Sequence, residues 1–430
     1  MYITGWTALL AVVGAVPAAF TQSRGVAWLW MLGVIALAIL DVLLTVPTRA
    51  VAVHRTVPAS VRLADEATST VRLVNSASRT VRGAVRDAWP PSAGALANRH
   101  PLRVSPGGGA TVTTVLRPTR RGDRSGAEVT IRIAGPLHLA GRQRSLTVPT
   151  TLRVLPEFAS RKHLPSRLAR LRELDGLSPV MMRGAGTEFD SLREYVIGDD
   201  VRTIDWRATG RRAEVVVRTF RPERDRRVFV VVETGRLAAV RVGDAPRLDA
   251  SIEAALLLSA LASHAGDRVQ VTAFDRSERA RAQGSTGSAL MPVLAGALAG
   301  VEPSLVEPDW PALVRLVMDR LSQRALVVLL TTVDASLIDS GALQAITTLQ
   351  ASHHVVIASV DDPDEEQMLH QRGDVGDAYA AAAASRARLE RDAVVAAIGK
   401  IGADVVSATP DLLAPRLADT YLKLKASGRL

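Results

Sequence analysis

The forty residues 188–227 hold ten Arg and nine Asp or Glu, so 19 of 40 positions are charged and nearly balanced. Balanced charge at that density pairs with itself rather than projecting a field. Arg with Asp or Glu forms bidentate pairs that fix a loop geometry. Apolar residues recur among the charges (Phe189, Leu192, Tyr195, Val196, Ile197, Ile204, Trp206), which predicts an ordered segment anchored on a core. A second group of acids falls at the predicted ends of strands: Glu233, Asp275, Asp334, Asp361 and Asp362. Each serves either as an ordinary helix cap or as part of a carboxylate rim for a basic partner. The simpler reading of each single residue is the cap.

Familiar catalytic constellations are missing from the sequence. Gly399-Lys400 lacks the upstream glycine of a phosphate-binding loop, and Gly184-Ala185-Gly186 lacks the third glycine of a dinucleotide loop. There is no His-Glu-x-x-His and no Gly-x-Ser-x-Gly. The chain has no Cys, which excludes disulfides, thiolate metal sites and a Cys nucleophile. Eight His are scattered, and His353-His354 lead into a predicted strand. Adjacent strand side chains point to opposite faces, so one is expected in the core and one in solvent. These features disfavour an enzyme.

The elements that must position these groups fall into four stretches of a 430-residue chain, enough at ~100–200 residues per domain for two or three domains. Residues 3–20 carry no charge, and residues 26–46 carry only Asp41. Both approach the ~20 apolar residues that a membrane-crossing helix needs. The short join between them predicts a transmembrane helical hairpin over 1–48, with Trp6, Trp28 and Trp30 near the span ends. Asp41, about one turn from the end of the second span, is expected to reach the headgroups; a polar contact between the helices is the alternative. Arg49, Arg55 and Arg62 follow the second span, against Arg24 alone in the loop. That asymmetry places the rest of the chain in the cytoplasm, on a multi-pass protein of the inner (plasma) membrane.

Residues 50–156 carry 16 Arg against five acids, a net +11, whereas the whole chain is +10. They alternate at period two between turn clusters, as in 60–63, 70–74, 80–82, 111–116 and 129–133. This predicts a small antiparallel β-sandwich with many of its Arg, those on the polar phase, facing outward. Trp89 is its one aromatic, too few for the stacking platforms of a nucleic-acid surface. Contact with anionic inner-leaflet lipids needs only charge and proximity to the span; a plain solvated Arg-rich face is the other reading.

A linker and the charge-dense segment fill 157–227. From 228, apolar β-branched runs alternate with helical patterns. Strands are expected at 228–232, 268–274, 325–330, 354–360 and 403–406. Helices are expected at 248–264, 287–298, 310–323, 337–352, 378–401 and 412–425. Such alternation predicts an α/β domain over 228–430, a doubly wound parallel sheet covered on both faces.

The charge-dense segment resembles the signature of domain-of-unknown-function family 58. The matching residues are Phe189, Leu192-Arg193-Glu194-Tyr195, Gly198-Asp199-Asp200, Arg202, Ile204-Asp205-Trp206, Arg211 and Glu223-Arg224, with Val201 and Gly210 as departures from the usual Pro and Ala. Arg120-Arg121-Gly122, Gly135-Pro136-Leu137 and the N-terminal hairpin extend the resemblance over most of the chain. It implies a C-terminal domain like von Willebrand factor type A, and a MoxR-type AAA+ ATPase as partner. Such domains often hold a divalent cation through Asp-x-Ser-x-Ser after the first strand. Here that stretch reads Glu233-Thr234-Gly235-Arg236-Leu237, with both Ser ligands replaced. Glu233, Thr331 (or Thr332) and Asp334 are the candidates for a degenerate metal site, but hard cations want several oxygens in tight geometry, and no cofactor, Mg or Ca included, is expected. The expectation is a membrane-anchored, non-enzymatic scaffold docking its partner through the block Arg193, Glu194, Tyr195, Gly198, Asp199, Asp200, Arg202, Asp205 and Trp206. A purely structural clasp is the other role for that block. The alternative function is a divalent-metal-dependent binding module.

Overall fold

A computed structural model describes residues 1–177, 188–196, 199, 201–212, 214–221, 226–283 and 287–429. These divide into two compact units, Met1–Glu157 and Phe158–Leu430.

The first unit opens with a two-residue strand β1 (Tyr2–Ile3) and the apolar helices α1 (Gly5–Val13), α2 (Ala15–Thr21) and α3 (Arg24–Leu44). Among the described residues one helix, α3 with its short continuation to Ala50, is long and apolar enough to cross a membrane. The stretch Gly5–Thr21 is apolar but shorter. It breaks at Gly14, where the Trp30 indole lies so close that a Cβ would fall inside the ring; Trp30 Nε1 donates to the Leu10 carbonyl at 2.9 Å.

Nine strands follow: β2 (Val51–Thr56), β3 (Ser60–Arg62), β4 (Ala67–Asn75), β5 (Val81–Asp87), β6 (Ala95–Leu96), β7 (Arg99–Val104), β8 (Gly109–Leu116), β9 (Gly122–Ala134) and β10 (Ala140–Leu155). They form two sheets, β1-β10-β9-β5-β7 with β3 on β10, and β2-β4-β8-β6. Pairing is antiparallel except for β3 on β10. Inward residues such as Val71, Leu73, Val85, Ile131 and Ile133 are buried and alternate with outward residues such as Thr70, Arg72, Arg86, Thr130 and Arg132.

Two polar groups depart from the expected pattern. Asp41 neither reaches the headgroups nor bridges the two helices. It is fully buried, and its carboxylate accepts the N–H groups of Leu137 (2.7 Å), Leu139 (2.9 Å) and Ala140 (2.9 Å) in the β9–β10 connection. Arg55 is not outward-facing. Its side chain and that of Asp87 are both 0% exposed, 3.2 Å apart, with the guanidinium over the Trp89 ring at 5.2 Å. Trp89 Nε1 donates to the other Asp87 oxygen at 3.0 Å.

The second unit begins with α4 (Leu164–Leu177), the antiparallel pair β11 (Glu188–Glu194) and β12 (Val216–Arg221), and α5 (Trp206–Arg212) between them. Its main sheet uses β13 (Arg227–Glu233), then, after the small hairpin β14 (Arg241–Val242) and β15 (Ala245–Pro246), β16 (Arg268–Phe274), β17 (Glu278–Ala282), β18 (Leu326–Leu330), β19 (His354–Val360) and β20 (Asp404–Ala408). The order is β17-β16-β13-β18-β19-β20. All neighbours are parallel except the edge strand β17.

Helices cover both faces: α6 (Arg247–His264), α7 (Leu290–Ala299), α8 (Trp310–Arg320), α9 (Ser336–Asp339), α10 (Ala342–Ser352), α11 (Pro363–His370), α12 (Val375–Ile401) and α13 (Pro410–Ala426). Successive β13 residues alternate between two cores. Val228, Val230 and Val232 join α6, α7 and α13; Phe229 and Val231 join α8, α10 and α12. His353 ends α10 and His354 begins β19, and each is 2% exposed, which corrects the expectation that both lie on the strand with one solvent-facing. The helix end that leads into a sheet covered on both faces is buried with it.

Candidate functional site

The strand order reverses between β13 and β18, and open α/β sheets form a crevice beyond the carboxyl ends at such a point. Glu233 ends β13 there and is 5% exposed. Its carboxyl accepts the Gly235 N–H at 2.5 Å and the Thr331 hydroxyl at 3.4 Å. Burial pushes it up to about 7, against the downward pull of those two hydrogen bonds and with upward help from Glu307 and Asp275.

Asp275, after β16, behaves oppositely. Burial pushes its carboxyl up, but hydrogen bonds from Ser304 (2.7 Å) and the Arg276 and Ser277 amides, with Arg279 nearby, hold it below the usual carboxylate range. The two carboxyls are thus set apart by environment alone.

Glu233 and Thr331 border a cavity of about 10 Å³ walled by Phe274, Pro308, Trp310 and Leu313, room for about one water. The degenerate metal set is only partly assembled. Glu233 and Thr331 meet, but Asp334 accepts from the Ser336 N–H (3.0 Å) and hydroxyl (2.6 Å) in a local turn before α9. Position 235 has no space for a serine: a Cβ would lie 2.5 Å from Glu233 Oε1 and 2.6 Å from the Val306 carbonyl. Among the described residues no group of three or more His, Asp or Glu is arranged to hold a metal ion. Arg236 pairs with Glu307.

Further along the carboxyl edge, Asp362 caps α11 by accepting the Asp364 N–H at 3.0 Å, the ordinary role. Asp361 borders a charged cleft of about 420 Å³ with Glu365, Arg391 and Ser407. Burial pushes its carboxyl up, against nearby Arg391, Arg247 and Arg416. Asp361 Oδ1, Glu365 Oε1 and Ser407 Oγ are buried there with no hydrogen-bond partner among the described residues.

The signature segment is held by the pairs its composition predicts. Arg193 meets Asp199 at 2.5 Å, and the other Asp199 oxygen accepts the Val196 N–H at 2.9 Å. Asp205 caps α5 through the Arg207 (3.0 Å) and Ala208 (2.9 Å) amides and pairs with Arg218 at 2.8 Å. Those amides and Arg218 hold its carboxyl below the usual range. Thr209 Oγ1 accepts the Val216 N–H at 3.1 Å, closing α5 onto β12.

The expected apolar anchors divide. Leu192, Tyr195 and Ile204 are half-buried, but Trp206 is 71% exposed and Val196 61%; Val201, where the signature usually has Pro, is 62% exposed. Trp206 starts a two-turn helix whose polar cap faces the hairpin, leaving the indole outside. Glu194 and Arg202 are exposed. Gly198, Asp200 and Ile197 lie outside the described residues.

The family model described as "Protein of unknown function DUF58" matches residues 191–389, from the signature segment into α12. No curated protein matches the sequence. Three similar solved structures each overlap about a quarter of it. The CARDB domain of the PF1109 protein from Pyrococcus furiosus, crystallised in complex with di-metal ions, is 16% identical, covers 24% of this chain and 87% of its own, with a TM-score of 0.19. The solution structure of the same domain gives 15%, 24%, 94% and 0.19. A FixG-related protein from Vibrio parahaemolyticus gives 10%, 24%, 96% and 0.17.

Proposed function

We propose that the chain is a membrane-anchored, non-enzymatic scaffold that docks a protein partner through its signature hairpin. The observation that carries this reading is the exposed trio Trp206, Val201 and Val196 beside a hairpin fixed by Arg193–Asp199 and Arg218–Asp205. Large apolar side chains on a rigid, charged mount are what protein interfaces use as anchors. The von Willebrand factor type A-like reading of the second unit is supported by its sheet order and antiparallel edge strand. The packing at Gly235 favours docking over the metal-dependent alternative. Anchoring is read as a helical hairpin in the inner membrane, supported by the apolar α3 and by Arg49, Arg55 and Arg62 after it, with both units cytoplasmic.

The partner class we propose is a MoxR-type AAA+ ATPase. The test is binding of the full chain in detergent to such an ATPase from the same source. Trp206→Ala is expected to weaken it at least tenfold, the size of a central tryptophan anchor. Equal binding by wild type and variant would remove the hairpin as the docking site.

A further inference from the structure

We infer that the first unit holds a site for one anionic phospholipid, its acyl chain in a groove between α1 and α3 and its headgroup against Arg132. The inference rests on the membrane-anchored reading and names a ligand for it.

The groove has a volume of about 560 Å³ and is lined by Tyr2, Ile3, Ala8, Val34, Ala38 and Ala140, among others, almost wholly apolar. It lies on helices whose outer faces are bare leucine, isoleucine and tryptophan, including Trp28, Leu29, Leu32 and Ile39. In a bilayer such a groove is filled by hydrocarbon, and small residues such as Ala8 and Ala38 are what open it.

Charge at its mouth selects among lipids. The Arg132 guanidinium stands over the ring of Tyr2, a groove-lining residue, at 5.4 Å. Arg132 is exposed, and Gln143 Oε1 accepts from its Nε at 2.7 Å. Register shows that it does not act alone. Tyr2 pairs with Gly141, Gln143 with Arg132, and Arg132 with Ala84. Arg82 pairs with Arg103 and Arg86 with Arg99. Residues two apart on a strand and directly opposed on its neighbour share a face. Tyr2, Arg132, Arg82, Arg86, Arg99 and Arg103 therefore stand on one outward face, which begins at the groove. All five Arg are exposed, and the one acid on the same register is Glu128. Adjacent cationic side chains that repel one another are relieved by a phosphate. Basic residues beside membrane helices bind anionic headgroups in this way.

The test is native mass spectrometry of the full chain released from nanodiscs of equal phosphatidylglycerol and phosphatidylcholine. Wild type is expected to retain one phosphatidylglycerol in preference to phosphatidylcholine. Arg132→Gln, an exposed substitution, should reduce that preference about fivefold, the effect of one cation at a lipid surface. Ala38→Trp, which fills the groove, should lose bound lipid of both kinds while leaving the melting temperature of the β-sandwich unchanged. Equal retention of the two lipids by wild type, or an unchanged preference in Arg132→Gln, would overturn the site while leaving the anchor intact. Failure of wild type to enter nanodiscs at all would overturn the anchor and the site together.

Discussion

Asp41 Oδ1 accepts the Leu137 N–H at 2.7 Å across 96 residues of sequence. With Leu139 and Ala140 on its other oxygen, one carboxylate at the end of α3 satisfies three backbone donors of the β9–β10 connection. Thr4 and Thr7 supply hydroxyls to the carbonyls of the same connection, Thr4 to His138 at 2.6 Å and Thr7 to Leu139. The apolar helices and the β-sandwich of the first unit are thereby joined by hydrogen bonds rather than by a free linker.

This junction predicts a cost for its removal. Each buried donor left unmet costs about 1–3 kcal/mol, so with the Leu139 and Ala140 amides both buried Asp41→Leu should destabilise the first unit by at least about 2 kcal/mol. Asp41→Asn retains an acceptor and should cost less. Gly135→Ala should resemble Asp41→Leu, because a Cβ at 135 falls within the Asp41 carboxylate. Hydrogen exchange in detergent checks this: the Leu137, Leu139 and Ala140 amides should lose protection in Asp41→Leu.

The buried Arg55–Asp87 pair gives a second prediction. The guanidinium sits 3.2 Å from Asp87 without an aligned hydrogen bond, and burial lowers the Arg55 pKa against the opposing pull of Asp87. Breaking a buried pair from one side costs about 3–5 kcal/mol, whereas replacing both partners by apolar groups is often near neutral. Asp87→Ala should therefore be severely destabilising, and Arg55→Met with Asp87→Leu much milder. Denaturant unfolding of the two variants measures the difference.

Glu233 predicts a pH dependence. Its folded value of about 7 lies above its ordinary 4.5. Between those values the unfolded chain has released the proton while the folded chain retains it. Stability therefore falls as pH rises through that window and levels off above it, by about 3 kcal/mol in all. Glu233→Gln should remove this slope and be the more stable protein at pH 8. Urea unfolding of both forms at pH 5 and pH 8 tests the sign.

Much of this was legible in the sequence, and the misses share a cause. The strand at 354–360 was readable as an apolar run bounded by polar residues, and that at 268–274 because Val269, Val271 and Ala273 alternate with Arg268, Gln270 and Thr272. The edge strand β17 was not. Glu278-Arg279-Ala280-Arg281-Ala282 offers only two alanines to the core, and its place is fixed by pairing with β16 and by Arg320 on Glu278. One expected helix, 337–352, is two, because Gly341 takes a left-handed conformation at φ 82°. The roles of Asp41 and Arg55 were hidden because their partners lie far along the chain. Arg55 shares the inward phase of Val51 and Val53 and pairs with Val71, whereas the exposed Arg72 and Arg82 stand on the outward phase. Within the signature, composition announced ion pairing but not which apolar residues would stay outside.

That division predicts separable effects in the hairpin. Asp205→Ala removes a helix cap and a partner of Arg218, so it should loosen α5 by about 1 kcal/mol and expose the segment to limited proteolysis. Trp206→Ala touches only an exposed indole and should leave the proteolysis pattern unchanged while losing the ATPase. A Trp206→Ala protein cleaved like Asp205→Ala would mean that the indole is structural.

Tethering by the N-terminal helices with both units in the cytoplasm can be tested at a single position. Because the sequence contains no Cys, one cysteine placed at the exposed Ser427 reports the side of the membrane directly. A membrane-impermeant maleimide applied to intact cells or spheroplasts should leave it unlabelled, and should label it fully after permeabilisation, with the protein in the membrane fraction throughout. Labelling in intact cells, or recovery of the unlabelled chain in the soluble fraction, would contradict the account.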